Sequence, residues 1–323
     1  MDTKDKRKLE ALWVEHREGD VWPSTVPAFE ARLREIQQVH QDFPEERKQS
    51  DFERAYAANG QLQILGKEQA RSFFDDTCAT HGFPVDLDYL LSIGIYRAFH
   101  EADMSLLKDA LHTWNRLKFG NRLHTPTGSH GYHFRELMYA MADCDIGLVK
   151  QYIPRELGLA ERDCFPFFRV GSNLVAVMVY DNPRQTAVEK SLALAETYVG
   201  RKGSPKGNVL VVRYLMALLN GQVDEASHYL QCIANEYRKM TWLVEFHEFL
   251  KYFGAFVHGL YNLAHYVLPE AHFALLKTPE HSVFWGDFDR LTKERNFGTG
   301  ALIKGLNLTD NLGGLRRLLV DLP

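Results

Sequence analysis

Residues 209–237 read VLVVRYLMALLNGQVDEASHYLQCIANEY, and their periodicity decides the fold. Leu210, Val211, Tyr214, Leu215, Leu218 and Leu219 recur at i, i+1, i+4, i+5, i+8 and i+9, which is one face of a helix. The run VLVV on its own would suit a strand, but the spacing that continues beyond it does not. Ala226, Tyr229, Leu230, Ile233 and Tyr237 mark the buried face of a second helix. Asn220-Gly221 between them is a turn signal, so the stretch predicts an antiparallel helix pair.

The same unit recurs. Apolar helices centred on Ala98, Ala140, Ala176 and Ala217 are each followed by a polar break and a second apolar helix. An aspartate stands five residues after the alanine in the first three (Asp103, Asp145, Asp181), and Gln222 takes that place in the fourth. The alanines are 42, 36 and 41 residues apart, the range of two-helix repeats but too irregular for a strict consensus. No alternating run bounded by tight turns predicts a strand. The expected fold is all-α, an irregular, α-solenoid-like stack of antiparallel helix pairs, and such stacks present surfaces for binding.

Outward from this core, Phe246, Phe249, Leu250, Phe253, Val257, Leu260, Tyr261 and Ala264 predict a long central helix over Val244–Val267, stopped by Pro269. Asn182-Pro183 predicts a helix start, with asparagine as cap and proline in the first turn. Helices are expected over Lys4–Glu18, over Ala28–Gln41 and after Pro44. Residues 1–60 carry less apolar content and are read as accessory helices beside a helical-repeat domain over 61–323, the two packed as one unit.

Hydrophobic residues at 45% and charged residues at 25% are those of a globular chain, not a disordered one. The net charge of −4 is spread along the sequence without a basic stripe, so nucleic acid is not an expected partner. Cys78, Cys144, Cys164 and Cys232 are scattered and form no C-x-x-C, which reads as reduced thiols of a cytoplasmic protein rather than a zinc cluster. The charged first twenty residues lack the apolar core of a secretory signal, and no run is apolar enough for a membrane span. A cytoplasmic protein without membrane or cofactor is expected.

Candidate chemistry is sparse. His130, His133 and Glu136 give H-x-x-H-x-x-E where a loop enters a helix, a spacing that offers metal ligands or, more simply, a pairing at the helix start over Tyr132. GRKGSPKGN (200–208) is a basic glycine-rich loop without the Gly-Lys-Ser/Thr of a P-loop. FGTGALIKG (297–305) and TGSHG (127–131) miss the dinucleotide and nucleophile-elbow patterns. Trp285 with Asp287 offers an aromatic anchor beside a carboxylate, the composition of a protein-binding hot spot, or else a helix docked on the core. Partner-binding candidates are therefore Trp285, Asp287, Tyr132 and His133; no catalytic or metal-binding residue is assigned.

The order of FRELMYAMADCDIGLVKQYI (134–153), GSNLVAVMVYDN (171–182), RYLMALLNGQVDEA (213–226), FLKYFGAFVHGLYNLAHY (249–266) and Phe284-Trp285 resembles the immunity protein 49 family of bacterial polymorphic toxin systems. The resemblance covers roughly residues 60–305. It implies a cytosolic, all-helical antitoxin without catalytic residues, whose partner is a cognate toxin protein domain. Read without it, the residues equally describe a helical-repeat scaffold or adaptor unrelated to toxins, or a helical metal-dependent enzyme around His133 and Glu136.

Overall fold

The structure is a computed structural model. It describes residues 3–18, 44–58, 66–71, 87–101, 104–120, 133–153, 158–160, 165–180, 183–240 and 248–293, with single residues 27, 31, 63 and 74. Among these the fold is all-α, with no strand. No described helix is long and apolar enough to cross a membrane.

The repeated unit is a pair of helices in each of its four copies. The first pair is α3 (Leu87–Glu101) and α4 (Met104–Gly120), and the second is α5 (Phe134–Ala142) and α6 (Ile146–Tyr152). The third is α7 (Pro166–Val179) and α8 (Gln185–Gly200), and the fourth is α9 (Lys206–Leu219) and α10 (Val223–Glu236). Successive pairs touch through α4 on α5, α5 on α7 and α7 on α9. Ala98, Ala140, Ala176 and Ala217 are all buried, on the first helix of their pair.

The five-residue spacing has a physical cause visible in two copies. The amide of Asp145 donates to the Ala140 carbonyl (3.0 Å), and that of Gln222 to the Ala217 carbonyl (2.8 Å). The residue between donates one step inside, Cys144 to Met141 (2.9 Å) and Gly221 to Leu218 (3.0 Å). These are Schellman turns, which satisfy the last carbonyls of a helix by turning one residue left-handed. Asp145 and Gln222 then stand as N-caps of α6 and α10, and Asp145 accepts the Leu148 amide at 3.1 Å. One residue thus ends one helix and begins the next. Asp103 and Asp181 lie outside the described residues.

At the left-handed position Gly221 has φ +68°, whereas the second pair holds Cys144 at φ +62°. A side chain there costs about 1–2 kcal/mol, and glycine returns part of that as unfolded-state freedom. Cys144→Gly is expected to stabilise the protein by about 0.5–1 kcal/mol in urea denaturation. Unchanged or lower stability would show that contacts of the Cys144 side chain outweigh the strain.

The central helix is shorter than its apolar pattern predicts. The run breaks into a 3-10 turn (Glu248–Lys251) and α11 (Ala255–Val267), while residues 241–247, including Phe246, lie outside the described residues. Gly254 makes the break, because its amide leaves the helix ladder and donates to the Val283 carbonyl (2.8 Å). Burial follows the stripe all the same: Phe249, Phe253, Val257, Leu260 and Ala264 are fully buried. The third pair also starts differently. Pro183 and Arg184 precede α8, Arg184 in extended backbone, so the helix begins at Gln185; Asn182 lies outside the described residues.

α11 does not extend the stack; it returns to lie along α5, its most extensive packing partner. Gly259 lets the two backbones meet at Met138. One turn on, Asn262 Nδ2 donates to the carbonyls of Met141 (3.0 Å), which also accepts the Cys144 amide, and Ala142 (3.1 Å), at the C-terminal end of α5. Tyr214 of α9 donates its hydroxyl to the Leu260 carbonyl (2.7 Å), tying the fourth pair to the same helix. Beyond α11 come the short α12 (Glu270–Phe273) and α13 (Gly286–Lys293), the latter packed on α4.

The core does not follow a boundary at residue 60. α1 (Thr3–Glu18) buries Leu9 in the main core, and Trp13 stacks on Tyr96 at 4.0 Å. Asp5 binds Arg238 through both carboxylate oxygens (3.2 and 2.6 Å). Burial raises the Asp5 carboxyl, but the Arg238 hydrogen bond and charge outweigh it and hold the group below its ordinary value. α2 (Glu45–Ala58) behaves otherwise: Phe52 packs with Ala70, Tyr56 and Phe74 in a small separate cluster. The helix expected over Ala28–Gln41 lies almost wholly outside the described residues.

Candidate functional site

The polar side chains drawn together in the core come from α4 and the turn between α5 and α6. Lys108, His112 and Arg116 are four residues apart on α4 and share a face. Opposite them stand Asp143, which ends α5, and Asp145, which begins α6. His112 Nδ1 lies 2.8 Å from Asp143 Oδ2 and 3.9 Å from Asp145 Oδ2. Arg116 donates to Asp145 Oδ2 through Nε (2.7 Å) and a terminal nitrogen (2.6 Å). Asp143 is fully buried, and Lys108, His112 and Asp145 are at most 5% exposed. Burial pushes the Asp143 carboxyl up, against the pull of His112 and Lys108.

His112, Asp143 and Asp145 offer one nitrogen and two oxygens within 4.8 Å of one another, a donor set suited to a divalent metal. The neighbouring charges decide against that use. The Arg116 guanidinium occupies Asp145, and the Lys108 ammonium sits buried close enough to act on Asp143. A dication would meet both cations in a low-dielectric interior. The arrangement fixes the first pair against the second through paired, largely buried charges.

No motif in the chain points to this cluster as a unit. Asp145 was visible as a repeat position, but thirty-one residues separate His112 from Asp143, and only the packing of α4 on α5 joins them. The α4 stripe of Lys108, His112 and Arg116 is the one local signal: three polar residues on a face that is otherwise buried.

The residues singled out from the sequence fall elsewhere. His133 is the N-cap of α5 and makes no side-chain cap bond. Its Nδ1 is 3.9 Å from Glu136 Oε2, while Glu136 Oε1 accepts from Arg135 at 2.9 Å. A metal at His133 and Glu136 would compete with that guanidinium. His130 and Tyr132 lie outside the described residues, as do the 297–305 and 127–131 motifs.

Trp285 is 8% exposed. Its indole donates to the Tyr252 carbonyl (3.1 Å), its amide donates to His258 Nε2 (3.0 Å), and its ring meets Phe253 edge-on. It is a core residue and not an exposed anchor, held by these two hydrogen bonds and the Phe253 ring. Asp287 beside it is 74% exposed at the side chain and reaches Arg290 only at 3.4 Å. Of the 200–208 stretch only residues 201–205 lie between helices; Lys206 opens α9 and pairs with Glu236 (2.9 Å), which gives its ammonium a protein partner.

Compared with models of protein families, with curated proteins and with solved structures, the chain matches none.

Proposed function

We propose that the protein is a cytosolic immunity protein that binds a cognate toxin domain and neutralises it by covering its active cleft. The resemblance of segment order raises this reading, and the sealing of the His112–Asp143–Asp145 cluster carries it. Among the described residues the His112–Asp143–Asp145 cluster is buried and held in internal pairs, and the stack of helix pairs offers a partner its faces and turns. Neutralisation must succeed when little toxin escapes, which calls for a large interface, slow dissociation and affinity of about nanomolar or tighter.

The test mixes the purified protein with its cognate toxin domain, sought among the neighbouring genes, and measures binding and toxin activity together. Stoichiometric, reversible inhibition is expected, with protection of cells that express the toxin. Inhibition far below one equivalent, or toxin left permanently altered after separation, would mean catalysis. Binding without protection would favour a helical adaptor unrelated to toxins.

A further inference from the structure

On the reading that this chain binds a toxin domain, we infer that the cavity between the end of α7 and the start of α8 is where the partner docks. Its occupant is an acidic protein segment that sets an apolar side chain in the cavity and carboxylates on the rim.

The cavity lies where the third pair departs from the repeat. Residues 143–145 join the helices of the second pair and 220–222 those of the fourth, whereas 180–184 join α7 to α8, with Tyr180 and Arg184 in extended backbone. Beside this longer link is a space of about 220 Å3. Among the described residues Leu159, Ala176, Val177 and Ala187 give it apolar walls, and Arg184 and Lys190 line it with charge. The wall at Leu159 is fixed, because the buried Asn173 side chain accepts the Ala160 amide (2.8 Å) and donates to the Ala160 carbonyl (3.0 Å). The pocket is present before anything binds, so a partner is spared the cost of ordering it.

Size and charge together select the occupant. A small-molecule site encloses about 300–1,000 Å3, so this smaller space suits one large side chain carried by a protein partner. Arg184 and Lys190 are exposed, and neither side chain has an ion pair or hydrogen bond among the described residues. Glu189, beside Lys190 in the sequence, is bonded to Gln185 instead (3.1 Å). Two cations without partners beside apolar walls make a local charge opposite in sign to the net −4 of the chain. Carboxylates flanking an apolar side chain complement both features, and a neutral or basic segment only one.

The experiment follows the methyl resonances of Leu159, Ala176, Val177 and Ala187 in the isotope-labelled full-length chain as the peptide acetyl-Glu-Leu-Glu-amide is added. Shifts centred on those methyls are expected. Acetyl-Gln-Leu-Gln-amide should bind about fivefold more weakly, the combined loss of two exposed ion pairs. Shifts only elsewhere, or equal binding of the glutamine peptide, would overturn the pocket. With the cognate toxin domain, Ala187→Phe fills the cavity, and the double variant Arg184→Glu with Lys190→Glu reverses the rim charge. Each should lower affinity by about 30-fold or more, the level of an interface hot spot. The double variant changes exposed side chains alone, so its thermal midpoint should stay unchanged. Full inhibition by both variants would overturn the pocket and leave the immunity reading standing. A native chain that binds the peptide without inhibiting the toxin would overturn the immunity reading and support the pocket.

Discussion

Gly259→Ala is expected to destabilise the protein by about 3 kcal/mol or more, the upper end for added volume in a packed core. A Cβ built at Gly259 would overlap the Met138 carbonyl, with the carbonyl carbon at 2.6 Å and Met138 Cα at 3.0 Å. These are backbone atoms of α5, so no rotamer change can make room, and α11 must move away from α5 as a whole. That movement would also pull Asn262 from the carbonyls of Met141 and Ala142. Gly200→Ala is the control: it ends α8 with nothing within 4 Å of the added carbon, and should stay within about 0.5 kcal/mol. Urea denaturation of both variants gives the comparison. A cost below about 1 kcal/mol at Gly259 would mean that the two helices are not in close contact.

The second large effect is acid sensitivity set by His258. Its ring is fully buried, stacked between Phe253 (5.1 Å) and Phe284 (4.2 Å) and edge-on to Phe288. Nε2 accepts the Trp285 amide, so the neutral ring carries its proton on Nδ1, a buried donor without a hydrogen-bond partner among the described residues. Burial among aromatic rings lowers its pKa to about 3. An unfolded histidine titrates near 6.5, so the unfolded chain binds the extra proton first. Stability is therefore complete above about pH 6.5 and falls as the pH drops towards 3. The loss is about 2 kcal/mol by pH 5 and approaches about 5 kcal/mol at the end of the window.

His281, also lowered by burial, acts in the same direction. Asp143, whose carboxyl is raised by burial, acts in the opposite one. The share of His258 is therefore read as the difference in slope between the native chain and a variant at that position. His258→Gln keeps an acceptor for the Trp285 amide and removes the titration, so it should flatten most of the slope while His281→Gln flattens the lesser part. A slope unchanged in His258→Gln would contradict the assignment.

Both effects fall on α11, where local pattern and tertiary structure part company. The phenylalanine stripe from Phe249 to Ala264 correctly marked buried positions, because period 3.6 reports which side faces the core whether or not the helix is continuous. Continuity was a separate matter. The amide of Gly254 binds the carbonyl of Val283, twenty-nine residues away in the sequence, and the pattern of the stripe holds no trace of that partner. Trp285 shows the same division. Its composition suited an exposed anchor or a docked helix equally, and the box formed with Tyr252, Phe253 and His258 placed it inside.

What the sequence determined by itself was the helix pairs and, among the described residues, the turns of the second and fourth. Those rest on interactions within a few residues: apolar periodicity, a left-handed residue after a helix, and a side chain that caps the next one. The alanine-plus-five spacing is such a local device, and Asp145 and Gln222 carry it out through bonds to Ala140 and Ala217. Only the tertiary structure decided which pairs of helices approach closely, which charges neutralise one another and which histidine is sealed from water. His112 meets Asp143, Gly259 meets Met138 and Asp5 meets Arg238 across 31, 121 and 233 residues. Contacts at that separation depend on how the pairs stack, and stacking is settled by the shape of whole faces, which no short run of residues encodes.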